Sequence, residues 1–146
     1  MIIDSLEFEF DNIKFELVFK ENIVAVGDSS AVGKSFMCHI INVLQNGIKY
    51  KEIFKDVILI NWESSKSFRG ALLYEHNKMF IVDNADLVIT AEIGDLIDNN
   101  KNGHQFLVFG RALSEICLTL GGIAELKLVD NKFKLEYPNR GRRVPN

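Results

Sequence analysis

The sequence predicts an α/β fold in which a mostly parallel sheet carries helices on both faces. Four short apolar runs are typical of strands buried on both sides, and they lie at 23–26, 57–60, 79–82 and 105–109. A helical pattern follows each run, and this alternation favours a parallel sheet with helical crossovers. Two amphipathic hairpins, one near each end of the chain, are expected to form antiparallel margins of that sheet.

Both hairpins are predicted from alternating apolar and polar residues around an Asp-Asn pair. The first alternation covers 6–19 with its pair at 11–12, and the second covers 125–137 with its pair at 130–131. Alternation on both sides of a two-residue turn signal is typical of a β-hairpin with one buried face.

The helices are predicted from apolar residues at helical spacing. The four segments are 36–46, 67–76, 85–97 and 113–120. Leu87 is expected on the buried side of the third segment. Because ligands in such folds bind at the carboxyl ends of the strands, we also expect one sheet edge to gather the residues that follow the strands: Gly27, Asn61, Asp83 and Gly110.

Length and charge narrow the classes of protein. The 146 residues suit one domain, which we place at 1–138, with a basic tail at 139–146. The net charge of −3 argues against a protein built wholly to coat nucleic acid. The start does not have the pattern of a signal peptide and no apolar run is long enough for a bilayer, so a cytoplasmic protein is favoured. Cys38 and Cys117 are interpreted as buried thiols.

The segment Gly27–Ser35 has the composition of a phosphate-binding loop, the Walker A motif. A strand precedes it and a helix follows its Gly33-Lys34-Ser35 end, which is the context in which backbone N–H groups and a helix N-terminus bind phosphate. The lysine would reach the β- and γ-phosphates and the serine would hold Mg²⁺. The alternative is a simple helix start. The residues expected to bind the nucleotide are Gly27, Ser30, Ala31, Val32, Gly33, Lys34, Ser35 and Phe36.

The spacing within this loop differs from the common pattern. Five residues separate Gly27 from Gly33, whereas four is usual, and Asp28 stands where the first glycine would be in the four-residue register. The longer version resembles the loop of dethiobiotin synthetase-like P-loop enzymes. Phosphate binding is still expected, while the added residue changes the geometry on which turnover depends.

Asp83 ends the third apolar run and is the predicted second ligand of the metal held by Ser35. An apolar strand ending in a carboxylate, some fifty residues after a phosphate-binding loop, has the form of a Walker B element. The alternative is an ordinary buried strand that happens to end in an acid.

The order of these motifs over residues 23–111 resembles minimal AAA-type, additional-strand ATPases of the P-loop NTPase superfamily, and Phe80–Asp86 is similar to their Walker B segment. The resemblance implies a three-layer P-loop core, bound ATP or another NTP, Mg²⁺, and NTP hydrolysis. In that class a glutamate usually follows the aspartate, but here Asn84 does. An amide cannot accept the proton of the attacking water, so hydrolysis should be slower by ~10²–10⁴-fold unless Asp86 or Glu63 substitutes.

The remaining candidates are single residues. Arg111, after the fourth strand, could stabilise charge on the γ-phosphate, or it is a solvated arginine. The predicted catalytic set is therefore Lys34, Asn84, Asp86 and Arg111. Trp62 is interpreted as a packing residue, with base stacking as the alternative, and His104 as a surface residue.

Three functions stay open at this stage. The first is a nucleotide-binding P-loop protein that hydrolyses ATP slowly within a larger assembly, with a protein partner or further copies of the chain. The second is a non-hydrolysing, nucleotide-dependent regulatory module, and the third is a small-molecule kinase. Nucleic acid is a weaker candidate partner through the basic tail, which contains Arg140, Arg142 and Arg143. No membrane contact is expected.

Overall fold

A computed structural model describes residues 2–27, 33–111 and 122–138. This part of the chain contains eight strands and four α-helices. The strands are β1 (Ser5–Phe10), β2 (Ile13–Val18), β3 (Ile23–Val26), β4 (Val57–Ile60), β5 (Met79–Val82), β6 (Gln105–Phe109), β7 (Gly122–Val129) and β8 (Lys132–Glu136). The helices are α1 (Lys34–Gln45), α2 (Ser65–Tyr74), α3 (Ala85–Val88) and α4 (Ala91–Asp98).

The eight strands form one sheet in the order β1-β2-β8-β7-β3-β6-β5-β4. The five strands from β7 to β4 run parallel to one another, as does the β2–β8 pair, whereas the hairpin pairs β1–β2 and β7–β8 are antiparallel. The α/β class and the two hairpins are thus confirmed.

The two hairpins were expected to form antiparallel margins of the sheet, but only the N-terminal hairpin lies at a margin. Both lie on the same side of β3, and β8 pairs with β2, so the C-terminal hairpin is inside the sheet. Aromatic packing explains this placement. The Phe15 ring stacks between Phe8 and Phe133, with centroid distances of 4.6 and 4.9 Å, and this stack crosses the seam between the two hairpins.

Strand β7 joins the hairpin part of the sheet to the parallel part. Its first residues, Gly122–Ala124, pair with β3, and its later residues, Glu125–Val129, pair with β8. One strand therefore fixes the position of both hairpins relative to β3, the strand that precedes the Gly27–Ser35 segment.

Two apolar clusters occupy the two faces of the sheet. One contains Met37, Ile40 and Ile41 of α1 together with the inward side chains of both hairpins. The other contains buried residues of α2, α3 and α4 against alternate residues of β4, β5 and β6. Buried strand residues on both faces account for the continuously apolar runs in the sequence.

The predicted helix at 85–97 is two helices, α3 and α4. Thr90 adopts an extended conformation and its Oγ1 accepts a hydrogen bond from the Ile93 N–H at 3.2 Å, which starts α4 as a new N-cap. The buried Ile89 occupies the break.

Helices α1 and α2 match their predicted segments within two residues, and the segment at 113–120 lies outside the described residues. In the described part, none of the helices has both the length and the apolar character needed to cross a membrane.

Candidate functional site

The carboxyl ends of the parallel strands meet at one edge of the sheet. Val26 pairs with Phe109, Val82 with Val108, and Ile60 with Val82. The residues that follow these strand ends therefore stand at nearly the same level, which confirms the predicted gathering of Gly27, Asn61, Asp83 and Gly110.

Gly33 directly precedes α1 and makes the transition into this helix. It has a left-handed conformation (φ 107°, ψ −24°), and its carbonyl accepts the first helical hydrogen bond from the Met37 N–H at 2.7 Å. A Cβ at this position would lie 2.5 Å from Cε1 of Phe133. Conformation and space both require glycine here. Residues 28–32 lie outside the described residues, and with them the predicted phosphate contacts of Ser30, Ala31 and Val32.

Lys34 connects the two ends of that segment. Its side chain is largely buried, and Nζ donates to the carbonyl oxygen of Gly27 at 3.4 Å. The ammonium group of Lys34 is therefore held beside Gly27, seven residues earlier in the chain.

A cavity of about 350 Å³ brings together side chains from three separate segments. The predicted site residues among those that line it are Lys34, Ser35, Asp83, Asn84, Asp86 and Arg111. The remaining lining comes from Leu87, Phe109 and Gly110.

Leu87 is 59% exposed, so its expected place on a buried helix face was wrong. The break between α3 and α4 changes the helical phase.

Asn84 has a structural role as well as a place in the cavity. It adopts a left-handed conformation with φ 52°, stands at the N-cap of α3, and donates its backbone N–H to Oδ1 of Asp83 at 2.9 Å. Asparagine tolerates this conformation better than glutamate does. The local turn therefore gives a physical reason for an asparagine, rather than a glutamate, at this position.

Asp86 ties α3 to the end of β6. Its Oδ1 accepts a hydrogen bond from the Arg111 N–H at 3.3 Å. A Cβ on Gly110 would lie 3.1 Å from that same oxygen and 3.2 Å from the Ala85 nitrogen. The close approach explains the glycine, and it shows that one oxygen of the candidate base already serves as an acceptor.

Ser35 and Asp83 also line a second cavity of about 430 Å³ on the α1 side. Cys38, which contributes to this second wall, has its pKa raised to about 12, first because burial disfavours the thiolate and then because the negative charge of Asp83 is close. The Asp83 carboxylate therefore acts electrostatically on the face of α1 that carries Ser35.

A hydroxyl and a carboxylate on a shared cavity wall fit Mg²⁺. This ion binds through one or two carboxylates and completes its octahedral shell with waters and phosphate oxygens. The described residues contain no group of three or more His, Cys, Asp or Glu side chains placed to hold a metal ion. Ser35 and Asp83 would thus hold Mg²⁺ only together with a phosphate-bearing ligand.

Other sequence expectations had different outcomes. The Phe36 ring is 38% exposed and lies 6.3 Å from the Phe15 ring. Trp62 is 61% exposed, so its interpretation as a packing residue was wrong. His104 was expected at the surface but is buried at 2% exposure. Little in the neighbouring sequence indicated this burial, because the partners of the ring, Leu72 and Lys78, are distant in the chain.

Sequence reasoning also missed part of the second cavity. Asn61 was expected at this edge of the sheet, but Ser64, just before α2, was not singled out, and both line the cavity together with Ser35 and Asp83. Their polar segment was visible after the second apolar run, and the signal that they belong to a cavity was its position at the carboxyl end of a parallel strand.

Comparison with known proteins assigns the chain to no family: no family model matches it, and no curated protein and no solved structure gives a significant match.

Proposed function

We propose that this protein binds a nucleoside triphosphate, ATP in the first instance, together with Mg²⁺ at the carboxyl edge of its parallel strands. The observation that carries the proposal is the single cavity formed by Lys34, Ser35, Asp83 and Arg111, which come from three segments of the chain. Two cations and a carboxylate–hydroxyl pair are the groups that a triphosphate and its metal ion need.

The strand order supports the same proposal. Strand β6 lies between β3, which leads into the loop, and β5, which ends at Asp83. A strand inserted between these two elements is what the resemblance to additional-strand ATPases implies. The separation of α1 from α2, α3 and α4 onto opposite faces also agrees with a three-layer P-loop arrangement.

Each side chain has a distinct task in this proposal. Lys34 neutralises the β- and γ-phosphates, Ser35 and Asp83 position Mg²⁺, and Arg111 stabilises negative charge that develops at the γ-phosphate. Mg²⁺, when bound, neutralises phosphate charge and orients the phosphate chain. Backbone N–H groups of the loop supply the remaining hydrogen bonds.

Hydrolysis is the weak step. The Asn84 amide can orient a water molecule but cannot take its proton, and Asp86 Oδ1 already accepts from the Arg111 N–H. We therefore expect slow ATP hydrolysis, coupled to a larger assembly. The second candidate is a nucleotide-dependent module that does not hydrolyse, and the left-handed turn at Asn84 favours it because that turn disfavours a glutamate.

Isothermal titration calorimetry with ATP and with GTP, in the presence and absence of Mg²⁺, tests the binding. The wild type should bind one of the two with Mg²⁺, and Lys34→Ala should weaken binding by at least about tenfold, the loss expected of one charge-assisted contact. Lys51→Ala, which removes an exposed lysine that is not among the described residues lining the cavity, is the matched control and should bind as the wild type does. Absence of binding by the wild type would overturn the proposal.

Phosphate release then separates the two candidates. Slow release by the wild type that Lys34→Ala abolishes selects the ATPase, whereas tight binding without release selects the regulatory module. Asn84→Glu is the informative variant: a gain in release rate would show that the missing base is what limits hydrolysis.

A further inference from the structure

The second cavity is a defined cleft between α1 and the carboxyl ends of β4 and β5, and we call it the β4 cleft. Its volume of about 430 Å³ lies within the range of roughly 300–1,000 Å³ that is usual for small-molecule sites. The first cavity, lined by Lys34 and Arg111 among others, is called the Lys34 cavity from here on. The β4 cleft meets it only along a shared wall, formed by Ser35 and Asp83.

The inner part of the cleft is apolar. Leu59 of β4 and Ile81 of β5, which pack in the cluster on the α1 face of the sheet, line it, and Cys38 of α1 adds a thiol that stays neutral because burial and the nearby Asp83 charge raise its pKa. Such a surface favours the face of a ring or another apolar group.

The rim of the cleft carries hydrogen-bonding groups that are already oriented. The Ser64 N–H donates to Oδ1 of Asn61 at 2.9 Å, and the Asn61 N–H donates to the Ser64 hydroxyl oxygen at 2.9 Å. This reciprocal pair fixes both side chains before any ligand arrives, so less conformational entropy is lost on binding. Asn42 of α1 supplies a second amide to the lining.

The charge of the cleft differs from that of the neighbouring cavity. Lys34 and Arg111 line the Lys34 cavity, whereas the described residues that line the β4 cleft include the carboxylate of Asp83 and the imidazole of His39 but no lysine or arginine. The Asp83 carboxylate therefore disfavours phosphates and carboxylates beside it, and neutral hydroxyl groups, which can donate to Asp83 and to amide oxygens, are favoured there.

We propose that the β4 cleft is a second ligand site that binds a small uncharged molecule with a planar ring and hydroxyl groups, of the nucleoside class. The apolar floor would contact the ring, the amides of Asn42 and Asn61 would bond to its polar edge, and hydroxyl groups would face Ser64 and Asp83. Trp62 directly follows Asn61 with its ring 61% exposed, which leaves an aromatic surface next to the rim. This site shares the wall of Ser35 and Asp83 with the proposed triphosphate site, and its other lining residues are different.

Adenosine is the probe, and the chain carries its own reporter because Trp62 is the only tryptophan. In the absence of nucleotide and metal, adenosine should change the fluorescence of Trp62 on saturation and shift the backbone amide NMR signals of Asn61 and Ser64. AMP, compared in the Lys34→Ala protein to remove the main phosphate contact, should bind about tenfold or more weakly, because its phosphate meets the Asp83 charge.

Two variants on α1 form a matched pair. Asn42 and Val43 are both exposed, but only Asn42 is among the lining residues of the cleft. Asn42→Phe should fill part of the cleft and weaken adenosine binding by about tenfold or more, whereas Val43→Phe should leave it unchanged. Circular dichroism establishes that both variants fold.

The proposal is overturned if adenosine does not bind, or if it binds without shifting the amide signals of Asn61 and Ser64. It is also overturned if adenosine binds Asn42→Phe as well as it binds the wild type. Failure of this site is distinguishable from failure of triphosphate binding. Lys34→Ala should lose the triphosphate and keep adenosine, because Lys34 is not among the described residues that line the β4 cleft.

Discussion

At the scale of single residues, Gly33 is the position where the fold and the candidate site depend on one another. Its left-handed backbone begins α1, and its missing side chain leaves room for the ring of Phe133. That ring is buried at 3% exposure and stacks on Phe15, so it cannot move aside at low cost.

Gly33→Ala should lower the free energy of unfolding by about 1–3 kcal/mol, because it adds backbone strain and a steric clash. It should also weaken ATP binding, since the end of the loop would shift. The control is Gly70→Ala on α2, where a new Cβ meets nothing within 4 Å; it should raise stability by up to about 1 kcal/mol. Urea denaturation measures both, and equal behaviour of the two variants would contradict the role of Gly33.

His104 is a buried residue whose protonation state is fixed by its neighbours. Nδ1 accepts from the Lys78 N–H at 3.2 Å, so the proton is on Nε2, which lies 3.2 Å from the carbonyl oxygen of Leu72. Burial is the main cause that lowers the pKa of His104 below its ordinary value of 6.5. The folded state therefore requires the neutral ring.

Stability should depend on pH through this histidine. The unfolded chain takes up a proton near pH 6.5 and the folded chain takes it up only at lower pH, so the stabilisation is complete above pH 6.5 and is lost as the pH falls below it. The slope from this one group is at most about 1.4 kcal/mol per pH unit.

Urea denaturation between pH 5 and pH 8 tests this dependence. His104→Gln should be less stable than the wild type at pH 8 but should lose less stability on acidification. His39→Gln, which changes an exposed histidine, should retain the wild-type slope. Identical slopes in all three proteins would show that His104 does not couple folding to protonation.

At the scale of elements, the break between α3 and α4 shapes the site. Because the chain turns at Ile89 and Thr90, α3 is a short helix that starts at Asn84 and carries Asp86 and Leu87 to the cavity. A single helix over 85–97, as the periodicity indicated, would have placed Leu87 on its buried face. The N-cap at Thr90 is therefore a condition for the observed cavity wall.

Thr90→Ala should lower stability by about 0.5–2 kcal/mol, because the Ile93 N–H loses its acceptor. Thr90→Ser keeps an oxygen that can accept this bond and should retain most of the stability. Thermal and urea unfolding of the two variants give the comparison, and a serine variant as unstable as the alanine variant would rule out capping as the cause.

At the scale of the whole molecule, the locally encoded features were predictable. Runs such as 79–82 are buried on both faces, so they are apolar throughout and are recognisable without knowledge of their neighbours. The gathering of Lys34, Ser35 and Asp83 also followed, because parallel strands place their ends together. Both predictions depend only on short stretches of sequence and on a general rule of sheet geometry.

The pairing of the two hairpins was not predictable in the same way. It depends on contacts such as that between Phe15 and Phe133, two residues that are far apart in the chain. The alternation of apolar and polar residues in each hairpin is compatible with many strand orders. The cap at Thr90 and the burial of His104 were missed for a related reason, since the pattern around each residue was equally compatible with a continuing helix or a surface position.

The pairing of β2 with β8 has a consequence for folding during synthesis on the ribosome. The edge of β2 that faces away from β1 has its partner only after residues 132–136 have been made, and β3 must wait for β6 and β7. A sheet that joins such distant stretches forms slowly, and its apolar strands stay uncovered during synthesis. The nascent chain is therefore expected to depend on chaperones until the last hairpin has emerged.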